Sequence, residues 1–323
     1  MSKLYPVGVQ NFEKVILGGY EYVDKTALIY QLFNTGSYYF LSRPRRFGKS
    51  LLLSTLEAYA QGKKELFKGL ALEKLEKDWT VYPVLHLDLN TQKYDTPESL
   101  TSILNDNLCT WESRYSARES ETSLSLRFQG IIRRACEQTG RRVVILIDEY
   151  DKPMLQAIGN EALQNEYRST LKAFYGALKS MDGCIRFALL TGVTKFGKVS
   201  VFSDLNNLMD ISMDDRYVEI CGISEKEIHT YFEEDIHALA TATGLTYEET
   251  CAELKSNYDG YHFTENAVGM YNPFSLLNTF AKKKFGSYWF ETGTPTYLVE
   301  LLKLHHYPIE ELEHIVTSQP VLD

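Results

Sequence analysis

Short apolar runs alternate along this chain with longer stretches whose apolar residues recur every third or fourth position. Tyr38 onward, Val84–Asn90, Val143–Ile147, Ile185–Thr191 and Tyr217–Cys221 read as five strands. Before the first of them Lys25–Phe33, which Asp24 can cap, and between them Leu51–Tyr59, Pro97–Trp111, Thr122–Gln138 and Glu161–Met181 carry helical periods. Strands that alternate with helices predict an α/β fold built on a parallel sheet. Val143–Ile147 is apolar at every position, so it is expected at the centre of that sheet, covered on both faces. From Ser224 the pattern changes. The capping box Ser224-x-x-Glu227 starts a mainly helical part, rich in aromatic blocks such as YDGYHF (258–263), YNPF (271–274) and YWFETGTP (288–295). Residues 1–222 are therefore read as an α/β core with an N-terminal extension, and 223–323 as a helical lid or partner-docking subdomain.

The candidate chemistry sits where strands end. Tyr38–Leu53, YYFLSRPRRFGKSLLL, is a strand that feeds a turn and then a helix through Gly48-Lys49-Ser50. That layout is a phosphate-binding P-loop: amides at a helix N-terminus wrap a polyphosphate, the lysine neutralises it and the hydroxyl holds Mg²⁺. Arg45, Arg46, Phe47, Gly48, Lys49, Ser50 and Leu51 are the candidate nucleotide-binding residues. The usual pattern starts with glycine five residues before Gly48, but Arg43 stands there. A left-handed backbone at Arg43 would cost roughly 1 kcal/mol or more, so either the turn has another shape or strain is tolerated there. About a hundred residues on, the central strand closes in Asp148-Glu149, at the strand end where open parallel sheets bind ligands. Asp148, with Ser50, is the candidate metal ligand. Glu149 is the candidate for polarising the attacking water, and Lys49 stabilises charge. Thr191 ends the neighbouring strand, the position at which P-loop ATPases with an extra strand between the two nucleotide motifs carry a polar residue that senses the γ-phosphate. His86 and Asp88 are read as structural.

Composition narrows the picture. The chain has 323 residues, 44% hydrophobic, and a formal net charge of −9, which argues against a surface broadly built for nucleic acid. The arginines near Lys49 are an exception; they face phosphate or pair with a neighbouring acidic element. No apolar run is long enough to span a membrane and the N-terminus lacks a signal peptide's apolar centre, so a cytoplasmic protein without a membrane partner is expected. The five cysteines show no C-x-x-C pair and indicate neither a disulfide framework nor zinc. No arginine follows Arg216, so the helical part cannot supply a lid arginine to the γ-phosphate.

With these residues in view, the chain resembles the bacterial predicted AAA-ATPase-like family, whose P-loop reads RPRRFGKS. The likeness extends over YPVGVQNFEKV, YVDKT, the P-loop block through ELFKGL, VILIDEYDKP, LLTGVTKF, SDLNNL, YDGYHF and YNPFSLLNTF. It implies a three-layer P-loop NTPase of the ASCE type with sheet order 5-1-4-3-2, binding ATP or ADP with Mg²⁺. It also implies that Arg43 is normal at its position and that adenine is preferred. Members often continue into a PD-(D/E)XK nuclease-like domain, expected to lie outside this chain, since Glu253-Leu254-Lys255 falls in a helical pattern without an acidic strand. The expected partner is a protein effector or such a fused domain, with nucleic acid reached only through it; the likeness also allows an oligomer. The alternative is a nucleotide switch or scaffold that scarcely hydrolyses.

Overall fold

Every residue of β3 (Val143–Asp148) is buried, and its side chains alternate between two cores. Val143, Ile145 and Ile147 face one helical layer while Val144 and Leu146 face the other, as in a strand covered on both sides. A computed structural model describes residues 3–195, 201–202, 205, 207–264 and 269–289. Around β3 lie β1 (Tyr38–Ser42), β2 (Val84–Asp88), β4 (Ile185–Gly192) and β5 (Met209–Asp210). All pairs are parallel and the order is β2-β3-β4-β1-β5, which is 5-1-4-3-2 read from the other edge. Helices α1 (Phe12–Leu17), α2 (Thr26–Thr35) and α3 (Lys49–Ala60) contribute Phe12, Ile29 and Leu53 to one core. On the opposite face α4 (Pro97–Tyr115), α5 (Leu124–Thr139) and α6 (Glu161–Ser180) contribute Leu104, Ile131 and Leu171. The result is three layers.

The fifth strand is Met209–Asp210, not Tyr217–Cys221. Met209 and Asp210 pair with Tyr39 and Phe40 of β1. Asp215–Ile220 instead winds into a 3₁₀ turn, opened by the Asp214 side chain, which accepts from the Arg216 N–H. Tyr217, Val218 and Ile220 are buried there. Burial gives a short turn the same apolar signature as a strand, and a two-residue strand is too short to show a period of its own.

The C-terminal part comprises α7 (Glu225–Tyr231), α8 (Glu233–Thr243), α9 (Tyr247–Tyr258) and α10 (Pro273–Lys282). Capping boxes start α7 at Ser224/Glu227 and α9 at Thr246/Glu249. Ile228, Phe232, Leu239, Leu254, Leu276 and Phe280 give it a core of its own. A 2.5 Å ion pair between Lys25 and Glu227 ties it to the start of α2. The end of the expected 223–323 subdomain, including most of YWFETGTP, lies outside the described residues.

Candidate nucleotide site

Because the strands are parallel, Ser42, Asp88, Asp148 and Gly192 finish at one edge of the sheet. The loop from β1 to α3 crosses that edge. Its first amide, Arg43 N–H, still donates to Gly192 O at 3.1 Å, so the loop leaves the sheet in strand register. The turn is made at Arg46 (φ 62°) and Gly48 (φ 98°); Arg43 is not among the residues with positive φ. Of the two possibilities left open at Arg43 the turn takes another shape, with a left-handed residue at Arg46, while at Gly48 the backbone needs glycine. A side chain at Gly48 would meet no atom within 4 Å, so this bend faces open space. Among the described residues the N–H groups of Gly48, Lys49, Ser50 and Leu51 have no protein acceptor. Four amides at the start of a twelve-residue helix then point into a cleft of about 340 Å³.

The acid pair meets this helix start. Ser50 Oγ donates to Asp148 Oδ2 at 2.5 Å, and Lys49 Nζ lies 3.2 Å from Glu149 Oε1. Lys49 Nζ also donates to Arg43 O (3.0 Å) and Pro44 O (3.2 Å), so the loop curls around its own lysine. Thr191 Oγ1 donates to Asp148 Oδ1 at 2.6 Å and is fully buried, which puts its hydroxyl on the acid rather than in the cleft wall. Glu149 has φ 54°, a left-handed conformation that costs a non-glycine residue on the order of 1 kcal/mol. It is held there by neighbours: Tyr150 N–H donates to Thr191 O and Lys152 N–H to Glu149 O. The hydroxyl and carboxylate oxygens of Ser50 and Asp148 are the hard donors that Mg²⁺ takes, so the site's chemistry fits that ion.

The arginines divide. Arg43 points away from the cleft: 1% exposed, it donates to Ser42 O (2.9 Å), Ser212 O (2.7 Å) and Tyr217 O (3.4 Å), and its guanidinium carbon lies 3.8 Å from the Phe263 ring centre. Burial, partly offset by Cys221 and Asp210, lowers its pKa to about 10. Arg45 and Arg46 line the cleft, Arg46 with its guanidinium 4.2 Å from the Phe274 ring centre. Phe47 is among the lining residues although its side chain is buried against Tyr261 and Phe263, with ring centres 4.9 and 5.4 Å away. Leu51 continues the wall towards Pro273 and Leu277. The aromatic blocks of the helical part thus clasp the P-loop from outside; Trp289 adds an Nε1–H bond to Arg45 O at 3.2 Å.

Sequence reading passed over three further residues. Asp151 is fully buried and accepts from Val193 N, Thr194 N and Thr194 Oγ1, lashing the segment after β4 to the exit of β3. Burial first, then the charge of Glu149, raises its pKa to about 6. Asn90, just past β2, lines the cleft opposite the loop, and Lys152 Nζ donates to both its carbonyl and its side-chain oxygen. Asp151 and Lys152 stand in the VILIDEYDKP block, but their roles were not readable locally because the side chains they bond are distant in sequence. His86 is bonded to Glu57 of α3 at 2.7 Å, a packing contact.

A family profile described as "Predicted AAA-ATPase" matches residues 6–202. A protein of Azotobacter chroococcum mcd 1, described as an uncharacterized protein in the vnfD 5′ region, is 40% identical over 322 residues, covering 99% of this chain. The chain spans 60% of that relative's length. No solved structure matches the chain significantly.

Proposed function

The chain belongs to the predicted AAA-ATPase family, and from that premise we propose that it is a Mg²⁺-dependent module that binds and hydrolyses ATP to control an attached or partner effector. The observation that carries this reading is the 2.5 Å contact between Ser50 and Asp148. It joins the helix start that suits phosphate to the strand end that suits a metal.

In this reading the amides of Gly48 to Leu51 and the Lys49 ammonium take the β and γ phosphates, with Arg45 and Arg46 at the rim. Ser50 and Asp148 would hold Mg²⁺, which would supply positive charge to neutralise the phosphates. Lys49 exchanges its Glu149 contact for phosphate oxygens, which releases the Glu149 carboxylate to polarise a water. Thr191 fixes the orientation of Asp148 and so senses the γ-phosphate indirectly. Positioning and charge stabilisation supply most of the rate in such a site.

One observation favours a second reading, a nucleotide switch that binds but scarcely turns over. The Lys49–Glu149 ion pair engages the catalytic base with the phosphate lysine. Single-turnover hydrolysis with Mg²⁺ separates the two: ATP is consumed on the first reading and stays intact on the second.

A further inference from the structure

A phosphoryl-transfer site needs a cation on the γ side, beyond the P-loop lysine, to meet charge that builds as the bond breaks. The cations around this cleft are mostly committed. Lys49 is held by Glu149 and two loop carbonyls, and Arg43 is buried beneath Phe263. Arg186, the second residue of β4, donates to Phe33 O at the opposite edge of the sheet. Arg216 is paired with Asp214 and Lys195 with Asp210. Arg46 lies over the Phe274 ring, and it and Arg45 line the cleft at the rim given them above.

Lys152 differs from all of these. It begins a short helix three residues after Glu149, and its backbone N–H donates to Glu149 O at 3.0 Å. Its Nζ reaches back to Asn90 O and Asn90 Oδ1, and Asn90 and Glu149 both line the cleft. Both acceptors are neutral oxygens; among the described residues no carboxylate lies within ion-pair distance of Lys152. Burial lowers the ammonium's pKa more than Glu149 and Asp88 restore it, with Arg45 adding to the fall. A half-buried cation short of counter-charge gains from an arriving anion. Its four-carbon stem lets Nζ leave Asn90 for a phosphate oxygen while the backbone stays tied to Glu149.

Resting on the ATP reading above, we propose that Lys152 is a γ-phosphate contact, the cis cation that stands where other ATPases use a lid arginine, with Asn90 as its resting dock. ADP lacks the group Lys152 would meet, so the residue should distinguish the two nucleotides.

The test is fluorescence titration of the full chain with Mg²⁺ and either a mant-labelled non-hydrolysable ATP analogue or mant-ADP. Lys152→Met and Lys152→Gln should bind the triphosphate about tenfold more weakly or worse and leave ADP within about twofold, and Lys152→Arg should recover most of the triphosphate affinity. Equal losses for both nucleotides, or no loss for either, would overturn the assignment. If the parent chain binds neither nucleotide, the ATP reading itself fails and this proposal falls with it. Melting curves of both neutral variants establish that each is folded.

Discussion

Replacing Arg43 with alanine tests what this P-loop uses in place of its leading glycine. The guanidinium has two short hydrogen bonds to carbonyls, Ser42 O at 2.9 Å and Ser212 O at 2.7 Å, plus a longer one to Tyr217 O. Each short bond from a charged donor is worth roughly 1.5–3 kcal/mol. The stack on Phe263 at 3.8 Å adds about 2 kcal/mol in a dry setting. Against this, burial penalises the charge, and a pKa lowered to about 10 corresponds to about 3 kcal/mol. The net expectation is a loss of about 3 kcal/mol, or a fall in Tm of roughly 5 °C for a chain of this size. The loop is also less preorganised, so Mg²⁺–ATP affinity falls, by about tenfold. Arg43→Met fills the space without a buried charge and should recover most of the stability. Calorimetry and nucleotide titration on parent and both variants check this. An Arg43→Ala protein that melts within about 1 °C of the parent would refute the anchoring role. So would a folded Arg43→Met protein that cannot bind nucleotide, since that would put the guanidinium on the phosphates.

Three other outcomes follow from the geometry. Lys49→Ala should abolish nucleotide binding by equilibrium dialysis, while Glu149→Gln should keep it and slow single-turnover hydrolysis by about 10²–10⁴; parent rates in both variants would remove them from the site. Asp151 has its folded pKa raised from 3.8 to about 6, so its contribution to stability is full below 3.8 and is lost as pH rises through about 6. Asp151→Asn should therefore gain on the parent between pH 4 and 7, by up to about 3 kcal/mol in urea unfolding, and a pH-independent difference would contradict the raised pKa. Gly192→Ala would put a Cβ 2.5 Å from the buried Tyr150 ring and 2.8 Å from Asp151 Oδ1, so a loss of roughly 1–3 kcal/mol is expected in thermal unfolding. An unchanged Tm would mean the contact relaxes freely.

The layers were legible because burial on both faces writes itself into β3 as an unbroken apolar run, and helical periods separate the strands. The candidate site was legible in part because Gly48-Lys49-Ser50 and Asp148-Glu149 both stand where an apolar strand ends. Arg43 was ambiguous for a physical reason. A guanidinium beside a P-loop can face phosphate or turn inward, and the carbonyls of Ser212 and Tyr217 that draw it inward lie some 170 residues away. Strain at Arg43 would have required the usual loop shape; the positive φ lies instead at Arg46, nearer the helix. The aromatic blocks could be read as core, but not as a cover over Phe47, because which aromatic meets which is fixed only by the fold. The roles of Asp151 and Asn90 were not legible locally, since each acts through partners brought in by other strands.

The most direct test of the account is a crystal structure of the chain with Mg²⁺ and a non-hydrolysable ATP analogue. Phosphates are expected on the amides of Gly48 to Leu51 and a metal at Ser50 and Asp148, with Glu149 turned away from Lys49. A nucleotide bound elsewhere, or a metal that touches neither Ser50 nor the water around Asp148, would contradict it.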